Sequence, residues 1–228
     1  MTAAASELAY HEIRNMLTRG ELSPGQRLSQ SRLARQFQCS PMPVVEAMRR
    51  LESEGLLEKQ ARKQARVRRL SLGDLEGLYL LREALETVIA RLAALRITPE
   101  EAQKLQELAR TYERAWETQD HEAEADVALH HHVAQCARCP LLESELGRLR
   151  LIERTAGRHL VVAIRPGHPH SHRALVQAIV DHDAASAEYL MKKHIQQGYD
   201  EARCEFEVRR EFEARQHPKL RRSKKETI

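Results

Sequence analysis

A tight turn between two short amphipathic segments is the feature that most constrains the fold of this chain. Ser29 is a suitable N-cap for a helix that runs through Phe37, and residues 38–39 leave room for only a two-residue turn. Ser40-Pro41 is then typical of a helix start, and Gly55 of a helix end. Two helices joined in this way predict a helix-turn-helix unit.

The segments on either side of this unit predict a winged form of it. A first helix is expected from about Ser6 to Thr18, and residues 56–59 can pair with residues 66–69 as a β-hairpin. In this arrangement the second helix of the pair fits the major groove of DNA, and a basic hairpin reaches flanking phosphates or the minor groove. A small helical domain with a solvated basic face is the alternative.

Charge is distributed unevenly along the chain. Residues 1–70 hold 13 Lys/Arg and 7 Asp/Glu, a net charge of +6, whereas residues 71–228 hold 24 Lys/Arg and 26 Asp/Glu, a net charge of −2. A basic front half suggests a polyanionic partner such as double-stranded DNA. Drift in surface composition is the alternative for such an asymmetry, since asymmetry alone is a weak signal.

Several classes of protein are excluded by composition. No apolar run approaches about 20 residues, so no membrane span is expected, and the first residues lack the pattern of a secretory signal. Four cysteines in 228 residues do not form a disulfide framework, which favours a reducing, cytoplasmic location. Neither a Gly-x-Ser-x-Gly elbow nor a P-loop is present, so an acyl-transfer enzyme or a nucleotide-dependent enzyme has no support. The chain is not expected to be an enzyme.

The segment from Leu22 to Leu57 carries a specific pattern. Its parts are the Leu-x-Pro-Gly-x-x-Leu opening, a Leu-Ala pair, Pro-Val-x-Glu-Ala and a Leu-x-x-Glu-Gly-Leu close. This pattern resembles the GntR family of bacterial transcription regulators, which implies a winged helix-turn-helix that binds DNA. The chain departs from the family at Pro41 and Val45, where relatives usually have arginines that touch DNA, and at Gln30 and Gln64.

These departures move the expected DNA contacts to neighbouring residues, so the operator is expected to differ from those of closer-matching relatives. Base readout is expected from a set on the second helix of the pair: Ser40, Met42, Glu46, Arg49 and Arg50. Phosphate contacts are expected from basic residues of the hairpin: Arg62, Lys63, Arg66 and Arg68.

From Ser71 onward the sequence predicts helices throughout. Apolar residues recur every three or four positions, and Thr98-Pro99-Glu100-Glu101 is typical of a capped helix start. The expected fold is therefore mainly α, with a winged helix-turn-helix over residues 1–70 and an all-α bundle of about six helices over residues 71–216. The basic segment 217–228 is expected to be disordered.

Four polar residues in this half are predicted to face the interior. Asp126 and His130 are four apart on one helix face, and His172 and His194 each lie on an apolar stripe. Burying them without partners costs several kcal/mol each, and one shared divalent cation removes most of that cost. A set of one Asp and three His suits zinc, with nickel and manganese as alternatives. Taken singly, each histidine is more consistent with an ordinary core residue than with a metal ligand, and it is the set of four that favours a shared ion.

Two motifs contain these four residues, D-V-A-L-H (Asp126 to His130) and the segment from His172 to Ile195. Both resemble signatures of the ligand-binding domain in the FadR branch of GntR regulators. The resemblance implies that the four matching residues hold a divalent metal and that a small carboxylate effector binds beside or on it. Leu129 and Cys139 replace the usual Phe and Asn.

Buried arginines are candidates for binding that effector. Arg82 lies on the apolar stripe of its helix and needs an anion, which either Glu86 or the effector carboxylate supplies. Arg150 and Arg154 are candidates for a second clamp. By contrast, His131 and His132 point away from His130 because they follow it at steps of about 100°.

The expected function is an effector-responsive transcription regulator that binds a short palindrome as a homodimer. Paired recognition helices fit half-sites about one helical turn apart, and a ligand that tightens the helical domain shifts the population between two DNA-binding states. The alternatives are a metal sensor, in which the metal is itself the effector, and a helical-bundle metalloenzyme. The metalloenzyme lacks a clear inward Glu as a general base.

Overall fold

The computed structural model describes residues 2–59, 65–118, 120–157 and 169–216. Within these ranges the chain forms nine helices and two short strands. Their contacts divide the chain into two compact units, which are residues 1–71 with 148–162, and residues 72–147 with 163–228. The predicted boundary between residues 70 and 71 lies one residue from this division. Residues 148–162 differ from the prediction, which assigned them to the second domain, whereas their contacts group them with the first unit.

The first unit is a winged helix-turn-helix, as the sequence predicted. Its elements are α1 (Thr2–Thr18), α2 (Gln30–Gln36), α3 (Pro41–Ser53), β1 (Leu57–Glu58) and β2 (Arg66–Val67). Helix α1 begins four residues before the expected start.

The turns of this unit follow the predicted local chemistry. The Ser29 side chain caps α2 by accepting from the Arg32 backbone N–H at 3.3 Å. Gln38 takes a left-handed φ of 53° in the tight turn before α3. Gly55 ends α3 with a φ of 80°, and the next backbone N–H, of Leu56, donates to the Leu51 carbonyl at 2.9 Å. These contacts are those of a helix end closed by a left-handed glycine.

The hairpin contains one pairing that the sequence did not predict. Strands β1 and β2 are antiparallel, with Leu57 opposite Val67 and Glu58 opposite Arg66, as expected. The short extended piece at Arg27 also forms a bridge to Arg66, and the Leu28 N–H donates to the Ala65 carbonyl at 2.9 Å. The base of the wing is therefore held from both sides.

The second unit is all-helical. Its helices are α4 (Leu72–Arg96), α5 (Pro99–Thr118), α6 (Glu122–Cys136), the first half of α7 (Pro140–Gly157), α8 (Pro169–Val180) and α9 (Ala184–Gln216). Helix α4 packs against α6, α8 and α9, and α5 packs against α6 and α8. The core between them is almost entirely aliphatic, with fully buried side chains such as Ile89, Leu105, Leu129, Ile179 and Met191. Polar side chains in this setting need partners.

The starts of α5 and α9 in this unit are capped by side chains, and the cap at Thr98 was predicted from the sequence. Thr98 Oγ1 accepts from the Glu101 N–H at 3.3 Å, and Glu101 Oε2 accepts from the Thr98 N–H at 2.9 Å, which is a reciprocal capping box. Asp183 caps α9 by accepting from the Ser186 N–H at 3.0 Å. Among the described residues, no helix combines the length and apolar character needed to cross a bilayer. The segment 217–228, which the sequence predicts to be disordered, lies outside the described residues.

Candidate metal centre and nucleic-acid surface

Four side chains from three helices converge in the interior of the second unit. Asp126 and His130 come from α6, His172 from α8 and His194 from α9. Each offers one ligand atom, and these four atoms all lie within 4.8 Å of one another. The structure therefore brings together the four residues that the sequence proposed as metal ligands.

The separations between these ligand atoms fit a common ion. His130 Nε2 lies 3.2 Å from His194 Nε2, His172 Nε2 lies 3.1 Å from Asp126 Oδ1, and His130 Nε2 lies 3.5 Å from the same Asp126 oxygen. Two ligand atoms that each bind zinc at about 2.0–2.1 Å in a tetrahedral arrangement lie about 3.3 Å apart. These three distances, 3.1–3.5 Å, scatter around this value, and all the separations stay within 4.8 Å.

Burial makes these contacts costly without an ion. The exposed fractions of His130, His172 and His194 are 1%, 1% and 5%. His172 Nε2 approaches Asp126 at 3.1 Å without the geometry of a hydrogen bond, and His172 Nδ1 makes no hydrogen bond within the described residues. An unsatisfied buried polar atom costs about 1–3 kcal/mol. Three imidazoles and one carboxylate are a donor set that divalent first-row metals accept. The residues present therefore fit a metal ion.

Electrostatics also favour the metal-binding form of the His194 imidazole. Burial lowers the pKa of His194 well below its usual 6.5, and the neighbouring rings of His172 and His130 lower this pKa further. His194 is consequently neutral at physiological pH, and neutral imidazole is the form that binds metal ions.

A second carboxylate supports His130 from behind. Glu86 on α4 places its Oε2 2.7 Å from His130 Nδ1, and its Oε1 accepts a hydrogen bond of 2.8 Å from Arg82 Nε. The negative charge of a carboxylate this close to Nδ1 favours a proton on that nitrogen, which leaves the lone pair of Nε2 for the cluster. Glu86 is 1% exposed and Arg82 is 6% exposed, so this chain of contacts is buried.

Sequence reasoning proposed Glu86 only as a partner of Arg82 and missed its contact with His130. The contact joins residues 44 positions apart, so helical spacing gave no sign of it. A second missed neighbour is Tyr112 of α5, which is fully buried and whose ring centroid lies 4.3 Å from that of His172. The position of Tyr112 on the apolar stripe of α5 was the one feature of the sequence that indicated an inward-facing ring.

The three arginines proposed for the effector lie in different surroundings. Arg82 is paired with Glu86, which is the first of the two alternatives that its burial allowed. Arg150 is 8% exposed and Arg154 is half-buried, and both lie on the part of α7 that belongs to the first unit. The effector-binding role of all three remains a prediction.

The remaining histidines and cysteines near the cluster have other surroundings. The His131 side chain is 57% exposed, and His132 Nε2 lies 3.0 Å from the Glu101 carbonyl oxygen. Burial raises the pKa of the Cys136 thiol to about 11, so this thiol is protonated at neutral pH. Neither Cys136 nor Cys139 forms a disulfide. None of these side chains belongs to the set of four proposed ligands.

In the first unit, the residues proposed to read DNA lie at the N-cap and on the outward side of α3. All five of them are exposed: Ser40, Met42, Glu46, Arg49 and Arg50. On the opposite side of the helix, Val44, Ala47 and Leu51 are buried in the core. Arg66 on β2 is half-buried, and Arg62 and Lys63 lie outside the described residues.

Arg50 differs from Arg49 in its contacts. Arg50 Nη1 donates to Glu7 Oε1 at 2.8 Å, Arg50 Nε donates to Glu54 Oε1 at 3.2 Å, and its guanidinium carbon lies 3.8 Å from the centre of the Tyr10 ring. Arg49 has no acidic partner among the described residues. The charge of Arg49 is thus available to a ligand, whereas that of Arg50 is engaged within the unit.

Comparison with known proteins places both units in families. Residues 5–67 match the bacterial regulatory proteins of the gntR family, and residues 77–197, just over half of the chain, match the FCD domain. The chain belongs to the GntR family of bacterial regulators and carries an FCD domain.

Individual relatives agree with this assignment. The chain is 31% identical over 106 residues to the HTH-type transcriptional regulator YdhC of Bacillus subtilis, and it spans about half the length of that relative. It is 24% identical over 203 residues to the transcriptional repressor RspR of Escherichia coli, an alignment that covers 86% of this chain and 88% of RspR. These relatives are transcriptional regulators rather than enzymes, in agreement with the sequence analysis.

Solved structures show the same fold. E. coli McbR/YncC is 25% identical, with a TM-score of 0.71 over 85% of this chain and 94% of that protein. A GntR regulator from Rhodococcus sp. RHA1 is 18% identical and also has a TM-score of 0.71, which supports the fold alone.

The two family matches separate the two candidate sites. The GntR match contains every residue proposed to contact DNA except Arg68, which follows it by one position. The FCD match contains the four potential metal ligands together with Arg82 and Glu86. The buried cluster and the outward face of α3 thus lie in different domains of this GntR protein.

Proposed function

We propose that this GntR protein is a dimeric transcription regulator whose FCD domain holds a divalent metal and responds to a small carboxylate effector. The observation that carries the proposal is the convergence of the ligand atoms of Asp126, His130, His172 and His194, which all lie within 4.8 Å of one another. Such a cluster is expensive to bury without an ion and inexpensive with one.

The donor set favours zinc, with nickel and manganese as alternatives. When bound, the cation would supply a positive charge that compensates Asp126, and an effector oxygen would be accepted as a ligand additional to the four protein donors. The chain's own part is to hold the ligands: Glu86 orients His130, and the buried aliphatic core excludes water from the other imidazoles. A carboxylate effector suits this setting because hard oxygen donors bind such cations.

Control of DNA binding follows from a shift between two populations of the FCD domain. A ligand that binds one arrangement of the helices more tightly than the other moves the equilibrium by the difference in its two affinities. We propose that the dimer presents its two α3 helices to half-sites about one helical turn apart, so a change in their separation changes affinity for the operator.

The DNA part of the proposal has a direct test in salt dependence. The candidate phosphate contacts, which include Arg66 and Arg68, would release counterions from the DNA backbone, so affinity for DNA should fall steeply with salt. Fluorescence anisotropy with the full chain, on duplexes of random sequence and on selected operators, measures this slope. Affinity that did not change with salt would contradict DNA binding by this surface.

The metal part is tested by elemental analysis of the purified protein and by operator binding before and after chelation. We expect about one metal ion per chain, and operator binding that responds to small carboxylates only in the metal-loaded protein. If chelation alone switches operator binding and no carboxylate alters it, the metal is itself the effector and the sensor alternative is correct.

A further inference from the structure

The outward face of α3 carries exposed apolar side chains beside a cation. Within the described part of the first unit, two large hydrophobic residues are strongly exposed, Leu8 at 56% and Met42 at 59%. Met42 lies in the first turn of α3, next to exposed Pro41 and one turn before half-buried Val45. These three residues form an apolar surface at the start of the helix, which we name the α3 apolar edge.

The α3 apolar edge faces the same side as Arg49. Helical steps of 100° place Met42 and Arg49, seven residues apart, within about 20° of each other around the axis. Their separation along the axis is about 10.5 Å, or about three base-pair steps of 3.4 Å. Because Arg49 has no acidic partner among the described residues, this face offers a free cation and a nonpolar surface in one line.

The partner that fits this combination is the major groove at a thymine close to a guanine. Thymine is the base whose major-groove edge carries a methyl group, and apolar side chains recognise it by contact. Guanine presents two acceptors that an arginine meets in a bidentate way. The net charge of +6 over residues 1–70 supplies the attraction to phosphates that brings the face to DNA.

We propose that Met42, with Pro41 and Val45, reads a thymine methyl group in each half-site of the operator, and that Arg49 reads a guanine within about three base pairs of it. This inference rests on the proposed function, since it requires that α3 enters the major groove. It assigns to the apolar edge a specificity that depends on one methyl group rather than on a hydrogen bond.

The experiment removes that methyl group without changing base pairing. An operator is selected from a random duplex library with the full chain, and each thymine in turn is replaced by deoxyuridine. Affinity is measured by fluorescence anisotropy. We expect one position in each half-site at which the replacement weakens binding about fourfold, the loss expected for one buried carbon group, and about fifteenfold when both half-sites are changed.

A cycle with Met42→Ala assigns the contact to its side chain. The variant should bind the thymine and deoxyuridine operators about equally, because the group that contacted the methyl is gone. Leu8→Ala is the matched control, since Leu8 is a similarly exposed apolar residue of the same unit, and it should keep the full methyl dependence. Both substitutions lie on the surface, and thermal melting verifies that the variants are folded.

The outcomes separate this inference from the proposed function. If the protein selects an operator and binds it with a steep salt dependence, but no thymine shows a methyl effect, the methyl-reading inference is wrong and DNA binding stands. The same conclusion follows if Met42→Ala keeps the full deoxyuridine penalty. If no duplex is bound in a salt-dependent way, the proposed function itself fails, and the inference fails with it.

Discussion

The buried cluster of the FCD domain and the outward face of α3 use polar side chains in opposite ways. In the cluster, the three imidazoles are at most 5% exposed and face one another, so each group depends on the rest. On α3, Glu46 and Arg49 are exposed to water, and the helix is held by the apolar residues on its other side. Removing one group from the cluster should therefore weaken the function of all four, with a large loss of metal binding and stability. Removing one side chain from α3 should have a smaller effect on DNA binding that is independent of its neighbours.

The largest effect is expected from His172→Ala, which breaks the cluster. Removing this ligand leaves three polar groups in an aliphatic interior, so metal content should fall from about one ion per chain towards zero. The stabilisation by bound metal, about 4 kcal/mol when free metal is a thousandfold above its Kd, should disappear with it. Elemental analysis and thermal melting measure both losses, and His194→Ala should behave in the same way.

His131→Ala is the control for this prediction, because the His131 side chain is 57% exposed and is not one of the four donors. Its metal content and melting temperature should match those of the unchanged protein. If His131→Ala lost the metal while His172→Ala and His194→Ala retained it, the assignment of the inward face of α6 would be wrong.

A smaller effect on the same cluster is expected from Glu86→Gln. The amide keeps the size of the side chain but removes the charge that faces His130 and Arg82, and loss of such a supporting contact typically lowers metal affinity about 10- to 100-fold. Competition with a chelator of known affinity measures the change. Glu83→Gln is the matched control, since Glu83 lies on the same helix and pairs with Lys192 at 3.6 Å. If both variants bound the metal with equal affinity, Glu86 would have no role in the metal site.

On α3, substitution of two adjacent arginines sharpens the comparison. Arg49→Ala should weaken operator binding by about 1–3 kcal/mol and relax base preference at one position, because Arg49 has no acidic partner within the described unit. Arg50→Ala should act mainly on stability, since Arg50 contacts Glu7, Glu54 and the Tyr10 ring. Anisotropy and melting curves on both variants test this order. A greater loss of DNA affinity in Arg50→Ala would show that its ion pairs open on the operator.

The smallest effect is expected from Glu101→Gln at the start of α5, away from both sites. The backbone N–H of Thr98 and the guanidinium of Arg138 lower the pKa of Glu101 below its usual 4.5. The folded state therefore favours the carboxylate, so its contribution is present above about pH 4.5 and is lost as pH falls through the lower pKa of the folded state.

The variant should accordingly lose about 1 kcal/mol of stability at pH 7, a typical value for an N-terminal cap, and little at pH 3. Denaturant unfolding at the two pH values measures the difference. Glu100→Gln, an exposed neighbour in the same first turn, is the control and should change stability less at pH 7. A loss that stays the same at pH 3 would contradict the role of the Glu101 charge.

Most helix boundaries were predictable because they depend on neighbouring residues. Ser29 caps α2, Thr98 and Glu101 form a capping box, and Gly55 ends α3, and each of these contacts spans only a few positions. The longer α1, which begins at Thr2, has no capping residue that marks its start in the sequence. Local chemistry therefore predicts a helix boundary where a capping residue is present, and it does not define the boundary where no capping residue is present.

Contacts between distant segments were predictable only in part. The inward faces of α6, α8 and α9 indicated that Asp126, His130, His172 and His194 are buried, and their shared chemistry suggested one ion. The contact between Glu86 and His130, the approach of Tyr112 to His172 and the bridge from Arg27 to Arg66 were not foreseen. Each of them depends on how two elements pack, which periodicity within one element does not describe.

The sequence by itself determined the winged helix-turn-helix, the helical second unit, and which side chains on each helix point inward or outward. These properties follow from caps, turns and the period of 3.6 residues, which act within about four positions along the chain. The tertiary structure alone decided that His130 Nδ1 meets Glu86 and that Arg50, but not Arg49, is engaged by acidic residues. The reason is that a side chain's partner depends on where the packed core places another helix, and no spacing within one helix contains that distance.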